Sequence, residues 1–108
     1  MSASQNVRAS GAVLSTNARI TVNVGFKPTW IQAFNSANVS KMEWNGGMPD
    51  DSAIRASGNA NPSYITSSGI KLVDDGTNIG FSMGPDSQFN PTGSNQIFWT
   101  AIRGHDPK

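Results

Sequence analysis

Apolar residues along this chain recur in short runs, many with a period of two, and Gly, Pro, Asn, Asp or Ser closes each run. The main runs are Val22–Phe26, Thr29–Asn35, Met42–Trp44, Tyr64–Thr66, Ile70–Val73, Asn78–Met83 and Gln96–Ile102. Successive side chains of a strand point to opposite faces. Ala18, Ile20, Val22 and Val24, separated by Arg19, Thr21 and Asn23, therefore predict a strand with one face buried and one wet. Gly25-Phe26-Lys27-Pro28 then turns the chain, because proline cannot donate within a central strand. Lys41-Met42-Glu43-Trp44 alternates with Met42 and Trp44 inward. Asp74-Asp75-Gly76-Thr77 separates Gly69–Val73 from Asn78–Met83, and Asp-Gly between alternating strands is a hairpin signal.

Two runs depart from simple alternation. Trp30-Ile31-Gln32-Ala33-Phe34 is apolar on both faces except at Gln32, and Gln96–Ile102 is apolar on both faces as well. Such runs suit central strands covered on two sides. Phe98 and Trp99 are adjacent and point to opposite faces, as do Trp30 and Ile31. One of each pair lies off the core; Phe98 and Ile31 are the candidates for contact with another subunit. A soluble monomer rarely leaves a large apolar patch open. Two double-faced strands in so small a domain thus predict an oligomer.

The rest is punctuation. Met1 to about Ser10 is small, polar and aperiodic, and reads as an arm that orders against a partner. Asn45–Pro62 forms an 18-residue irregular stretch whose one weak apolar pair is Ala53-Ile54. It reads either as a functional loop or as a surface crossover. Gly84–Asn95 is a second long loop, apolar only at Phe89. No window carries the i, i+3, i+4, i+7 pattern of an amphipathic helix, and no repeat recurs at a fixed period. The expected fold is all-β: an antiparallel β-sandwich of jelly-roll-like or related Greek-key topology, with a flexible N-terminal arm. The arm covers residues 1–10, the β-sandwich domain 11–104 and a C-terminal tail 105–108.

Composition narrows the function classes. At 108 residues the chain is one domain. The apolar share is 36% and the charged share 14%, with Ser, Asn, Thr and Gly filling the deficit. A formal net charge of +1 with scattered basic residues gives no field to gather a phosphate backbone, so no nucleic-acid partner is expected. No apolar stretch approaches the roughly 20 residues that span a bilayer, so no membrane partner is expected through a helix. The N-terminal MSASQNVRASGAV lacks an apolar signal core, which predicts no secretion by a cleaved peptide. The absence of Cys fits folding in a reducing cytoplasm or a core that suffices without a disulfide. Asn38-Val39-Ser40 matches a glycosylation sequon by chance.

Candidate chemistry is sparse. Asp50-Asp51 and Asp74-Asp75 are the only paired carboxylates, and adjacent acids on loops do not face each other as an acid–base pair must. The Asp-x-Asp-x-Asp spacing of a calcium loop is missing, and the only Glu, Glu43, is on a strand. A Ser–His–acid triad would need the single His, His105, in the polar tail. Gly46-Gly47 is followed by Met48-Pro49, without the Lys-Ser/Thr ending of a phosphate loop. No enzyme activity, metal or cofactor is expected. Trp30, Phe34, Trp44, Phe81, Phe98 and Trp99 could form a sugar platform, but their default use in strands is the core.

Gly25-Phe26-Lys27-Pro28-Thr29-Trp30-Ile31-Gln32, then Gly69-Ile70 with Gly80-Phe81-Ser82-Met83-Gly84, then Gln96-Ile97-Phe98-Trp99-Thr100-Ala101, follow a recurring order of motifs. In that order the chain resembles small virion structural proteins of tailed bacteriophages, of the head decoration or cement type. The resemblance covers about Ala18 to Gly104 and rests on turn glycines and core aromatics. It implies a jelly-roll-like homotrimer on the capsid exterior, made in the host bacterial cytoplasm, that clamps subunits of the phage major capsid protein. Interface candidates under it are Ser2, Ala3, Ser4, Gln5, Asn6, Val7 and Arg8 of the arm, Ile31 and Phe98 of the strands, and Met48 and Phe89 of the long loops. It carries over no catalytic residue. Two other readings stay open: a tail- or fibre-associated virion protein, and a lectin-like module binding host glycans.

Overall fold

The computed structural model describes residues 7–58 and 61–104. Eight strands form: β1 (Val7–Leu14), β2 (Ile20–Asn23), β3 (Trp30–Asn35), β4 (Ser40–Asn45), β5 (Ser52–Ser57), β6 (Ser63–Asp74), β7 (Ile79–Met83) and β8 (Gln96–Arg103). They pair in one continuous sheet of order β1-β8-β3-β4-β5-β6-β7-β2, antiparallel at every step. No helix forms among the described residues. The fold is all-β and antiparallel, as the alternation predicts.

The sheet curls into a half-barrel around a single core. Phe81 of β7 meets Trp99 of β8 edge to face with ring centroids 5.6 Å apart, although many strands separate them in the sheet. The concave face carries Val22, Ile31, Ala33, Met42, Trp44, Ala53, Ile70, Phe81, Met83, Ile97 and Ala101, all buried. Met42 and Trp44 point inward as expected. The strands belong to one sheet, so the two separate layers of the expected sandwich are not what the pairing describes. Curvature lets one sheet bury its own concave face, which a flat sheet cannot do without a second layer.

Three boundaries differ from the sequence expectation. First, the arm does not extend to Ser10: Val7–Leu14 is strand β1, in register with β8 from Val7 opposite Arg103 to Leu14 opposite Gln96. Ser2, Ala3, Ser4, Gln5 and Asn6, like the tail 105–108, lie outside the described residues. Second, the Asn45–Pro62 stretch contains β5, which pairs with both β4 and β6. Its sequence SAIRAS has too little apolar signal to announce a strand; the ladders on either side supply what its own pattern lacks. Third, Tyr64–Thr66 and Ile70–Val73 are two parts of one strand, β6. Ser52 lies opposite Ile70 while Ala53 lies opposite Ile65, so Thr66, Ser67, Ser68 and Gly69 bulge out of the ladder. A Cβ at Gly69 would lie 2.6 Å from the carbonyl carbon of Ser52, so only glycine closes this bulge. The β6–β7 hairpin forms across Asp75–Asn78, as its Asp-Gly signal predicts.

Candidate interaction surface

The convex face of the sheet follows from the pleat. On β3, Gln32 marks the outward parity, so Trp30 and Phe34 share its side while Ile31 and Ala33 point to the core. On β8 the outward set is Phe98, Thr100 and Ile102. The β3–β8 register places Phe34 opposite Phe98 and Trp30 opposite Ile102. Phe34 and Phe98 are 39% and 46% exposed, and Leu14 at the end of β1 is 54% exposed. Ala12 stands beside Phe98 on β1, so the apolar ground is continuous across three strands. Further along the same face, Ile54 of β5 and Tyr64 of β6 lie opposite one another, 42% and 57% exposed.

Few charges interrupt this face. Lys41 stands opposite Phe34, and Glu43 accepts a hydrogen bond from Trp30 Nε1 at 3.1 Å. That bond fixes the indole against the face and satisfies the one polar atom of Trp30. What the arrangement offers a partner is aromatic and aliphatic contact with a thin polar margin, the usual make-up of an interface centre.

Each candidate within the described residues has a definite place. Phe98 is exposed on the convex face, as expected. Ile31 is fully buried, a correction: the outward member of its pair is Trp30, because Gln32 shares that side. Phe89 is also fully buried and has no surface to give a partner. Met48 is half-buried and packs against the core, Val7 is half-buried, and Arg8 is exposed. Phe34, which the sequence assigns by default to the core with the other strand aromatics, is exposed, and the parity set by Gln32 is the signal that places it outward.

Phe89 is buried because its loop plugs one end of the half-barrel. Asp86 Oδ1 accepts from the N–H groups of Gln88 at 2.9 Å and Phe89 at 3.1 Å, while Arg55 donates to Asp86 Oδ2 at 2.6 Å. Asn35 Nδ2 donates to the Phe89 carbonyl at 2.9 Å, and Ser40 Oγ to the Gln88 carbonyl at 2.9 Å. Asn90 closes the network: its Oδ1 accepts from Thr16 N–H at 2.8 Å, and its Nδ2 donates to the carbonyls of Ala18 at 2.6 Å and Gly84 at 3.1 Å. The second long loop is thus a fixed cap whose exposed residues are Pro85, Ser87, Gln88 and Thr92–Ser94, with no large apolar side chain among them.

Three of the four paired acids have structural partners. Asp51 forms an ion pair with Arg19, whose Nη1 also donates to the buried Ser82 hydroxyl at 2.7 Å. Asp74 lies 3.9 Å from Lys27. Asp75 Oδ1 accepts from Asn78 N–H at 2.8 Å and Thr77 N–H at 3.0 Å, and these bonds hold its carboxyl below the ordinary value. His105 lies outside the described residues. No group of three or more metal-ligating side chains forms among the described residues. Comparison with protein-family models, with curated proteins and with solved structures finds no match to this chain.

Proposed function

We propose that this protein is an assembly subunit: a structural virion protein that decorates a bacteriophage capsid and stabilises it by binding as an oligomer, a homotrimer, across major capsid protein subunits. The observation that carries the assembly reading is the exposed Phe34–Phe98 pair, continuous with Leu14 and Ala12, on a face that the chain's own strands leave open. The head-decoration assignment rests on the order of the glycine and aromatic motifs. With it goes the reading of the curled sheet as a jelly-roll-like sandwich, its two flanks meeting where Phe81 touches Trp99. A ligand that binds only the expanded shell raises the stability of that state by about RT ln(1 + [L]/Kd), so many copies of a weakly charged subunit suffice to brace it.

The test has two arms. Sedimentation of the native chain gives an oligomer, and Phe34→Ser combined with Phe98→Ser gives a smaller species with an unchanged unfolding midpoint. Particles lacking the protein lose resistance to heat, and adding native protein restores it where the double variant does not. A native chain that stays monomeric, together with particles equally heat-resistant without it, overturns the proposal. Copy number per particle separates head from tail: hundreds place it on the head, a few to a few dozen on the tail.

A further inference from the structure

Among the described residues the sheet has two free edges, and they are unequal. The β2 edge is Ile20–Asn23, four residues long, while the β1 edge is Val7–Leu14, eight residues long. A free edge is a row of unpaired N–H and C=O groups that can template another strand. Natural edges are blunted by shortness, proline, bulges or charge. The β2 edge is short. The β1 edge keeps an unbroken register with β8, has no proline, and carries one charged residue, Arg8.

The ladder fixes which backbone groups β1 turns outward. Ser15 N–H donates to the Asn95 carbonyl at 2.8 Å, and these two residues continue the register that sets Leu14 opposite Gln96. In an antiparallel ladder such bonded pairs recur at every second residue. Val13, Gly11, Ala9 and Val7 therefore bond β8. The other side of β8 agrees: Ser36 N–H donates to the Gln96 carbonyl at 3.2 Å, so the even positions of β8 serve β3 and the odd ones serve β1. The N–H and C=O groups of Arg8, Ser10, Ala12 and Leu14 are left pointing away from the sheet. None of them has a backbone partner among the described residues.

We propose that a second copy of this chain joins at this edge, β1 against β1 in antiparallel pairing, across a two-fold axis at Gly11. The register follows from the alternation. Outward groups occur only at even positions, so bonded pairs must match even with even, and the axis can fall only at an integer position of the strand. An axis at Gly11 pairs Arg8 with Leu14 of the partner subunit and Ser10 with Ala12 of the partner subunit, and engages every outward group of both strands. An axis at Ser10 or Ala12 leaves one outward residue of each strand unpaired.

Local chemistry suits that axis. At Gly11 the facing residues form the non-bonded pair, where the strands come closest, about 4.5 Å between Cα atoms. Glycine admits this approach, and its inner side is already occupied: a Cβ there would lie 2.9 Å from Trp99 Cζ2. The two Arg8 residues end up six positions apart along the ribbon, about 20 Å at the strand rise, beyond the screening length at physiological salt. The contact is isologous and closes on itself, so it consumes the edge that would otherwise propagate open aggregates. It uses the outward backbone groups of β1 at the rim of the sheet, whereas the convex-face patch uses side chains, those of Ala12 and Leu14 among them; it does not rest on the capsid reading.

Amide exchange of the native chain, read residue by residue over a dilution series, tests this directly. Val7, Ala9, Gly11 and Val13 are protected at every concentration. Arg8, Ser10, Ala12 and Leu14 gain protection as concentration rises, in step with a doubling of mass by sedimentation. The chain has no cysteine, so Ser10→Cys combined with Ala12→Cys yields a disulfide-linked dimer on oxidation, faster than Ser10→Cys alone. Ala12→Pro removes one outward N–H and no β1–β8 bond, and abolishes the doubling. All are repeated with Phe34→Ser and Phe98→Ser in place, so that loss of convex-face assembly and loss of edge pairing are read separately. Even-numbered amides that exchange freely at the highest concentration overturn the proposal, as does protection without a change in mass. Faster linkage by Ser10→Cys alone overturns the Gly11 axis, and growth into open aggregates overturns the closed pair.

Discussion

The two faces of strands β3 and β8 use the same kinds of residue to opposite effect. Inward, Ile31, Ala33, Ile97 and Ala101 are at most 1% exposed, because they belong to the one core cluster that the curled sheet encloses together with Phe81 and Phe89. Outward, Phe34 and Phe98 stand opposite each other and keep 39% and 46% of their surface in water. Residue type does not separate the sets; what the rest of the chain brings to each face does. A strand that is apolar on both sides therefore states a demand for two covers, and the described residues supply one.

The largest effect that could break the contrast is a matched pair of truncations. Ile31→Ala empties a fully buried site and costs about 2–5 kcal/mol, the range for aliphatic truncation in a close-packed core. Phe34→Ala removes a larger side chain from the outer face of the same strand and costs about 1 kcal/mol or less at low protein concentration, since much of the ring is hydrated in both states. Denaturant unfolding of both variants measures the difference. Equal losses would mean that the outer face is covered within the monomer.

Much of this fold was legible in the sequence because a half-buried strand writes its period into the residue order. The alternations at Ile20–Val24 and Met42–Trp44 and the Asp75-Gly76 hairpin are local signals, and they hold. Strand β5 was not legible: Ser52 and Ala53 are buried by neighbours far along the chain, and small residues leave no period. The curl was hidden for the same reason, since alternation gives the faces of each strand but not whether the cover is a second sheet or the same one bent round. Strand β1 escaped because Arg8, Ala9 and Ser10 look like the end of a small, polar arm, while its pairing comes from β8. On the candidate surface, Phe98 was found by adjacency to Trp99, whereas Ile31 was assigned outward without using Gln32, the polar residue that sets the parity of β3. Phe89 was misplaced because a loop packed inward by a network of Asp and Asn bonds has the composition of an exposed one.

A middle-sized effect sharpens the contrast by showing that a polar residue can belong to the inner set. Asn90 is fully buried and joins Thr16, Ala18 and Gly84 through its amide. Asn90→Ala leaves two backbone donors, the Thr16 and Asn17 N–H groups, and two carbonyl acceptors without their partner, and costs about 1–3 kcal/mol. Thermal unfolding reads the loss, and faster amide exchange at Thr16 localises it. Replacing the exposed Ser87 in the same loop by Ala leaves both unchanged.

The smallest effect sets a limit on the contrast, because exposure alone does not free a residue from the fold. Asp75 is exposed, yet its carboxylate closes the β6–β7 turn by accepting from Asn78 and Thr77 N–H groups, and these bonds lower its pKa from the ordinary 3.8. A group whose folded pKa is depressed contributes stability above its unfolded pKa and loses it as pH falls through the folded value. The contribution is therefore intact at neutral pH and disappears below about pH 3.8. Asp75→Asn keeps an oxygen acceptor without the charge, so it lowers the unfolding midpoint slightly at neutral pH. In acid, as the native carboxyl protonates, the two proteins converge. A gap that stays constant into strong acid would show that the side chain acts through turn geometry alone, with its charge contributing nothing.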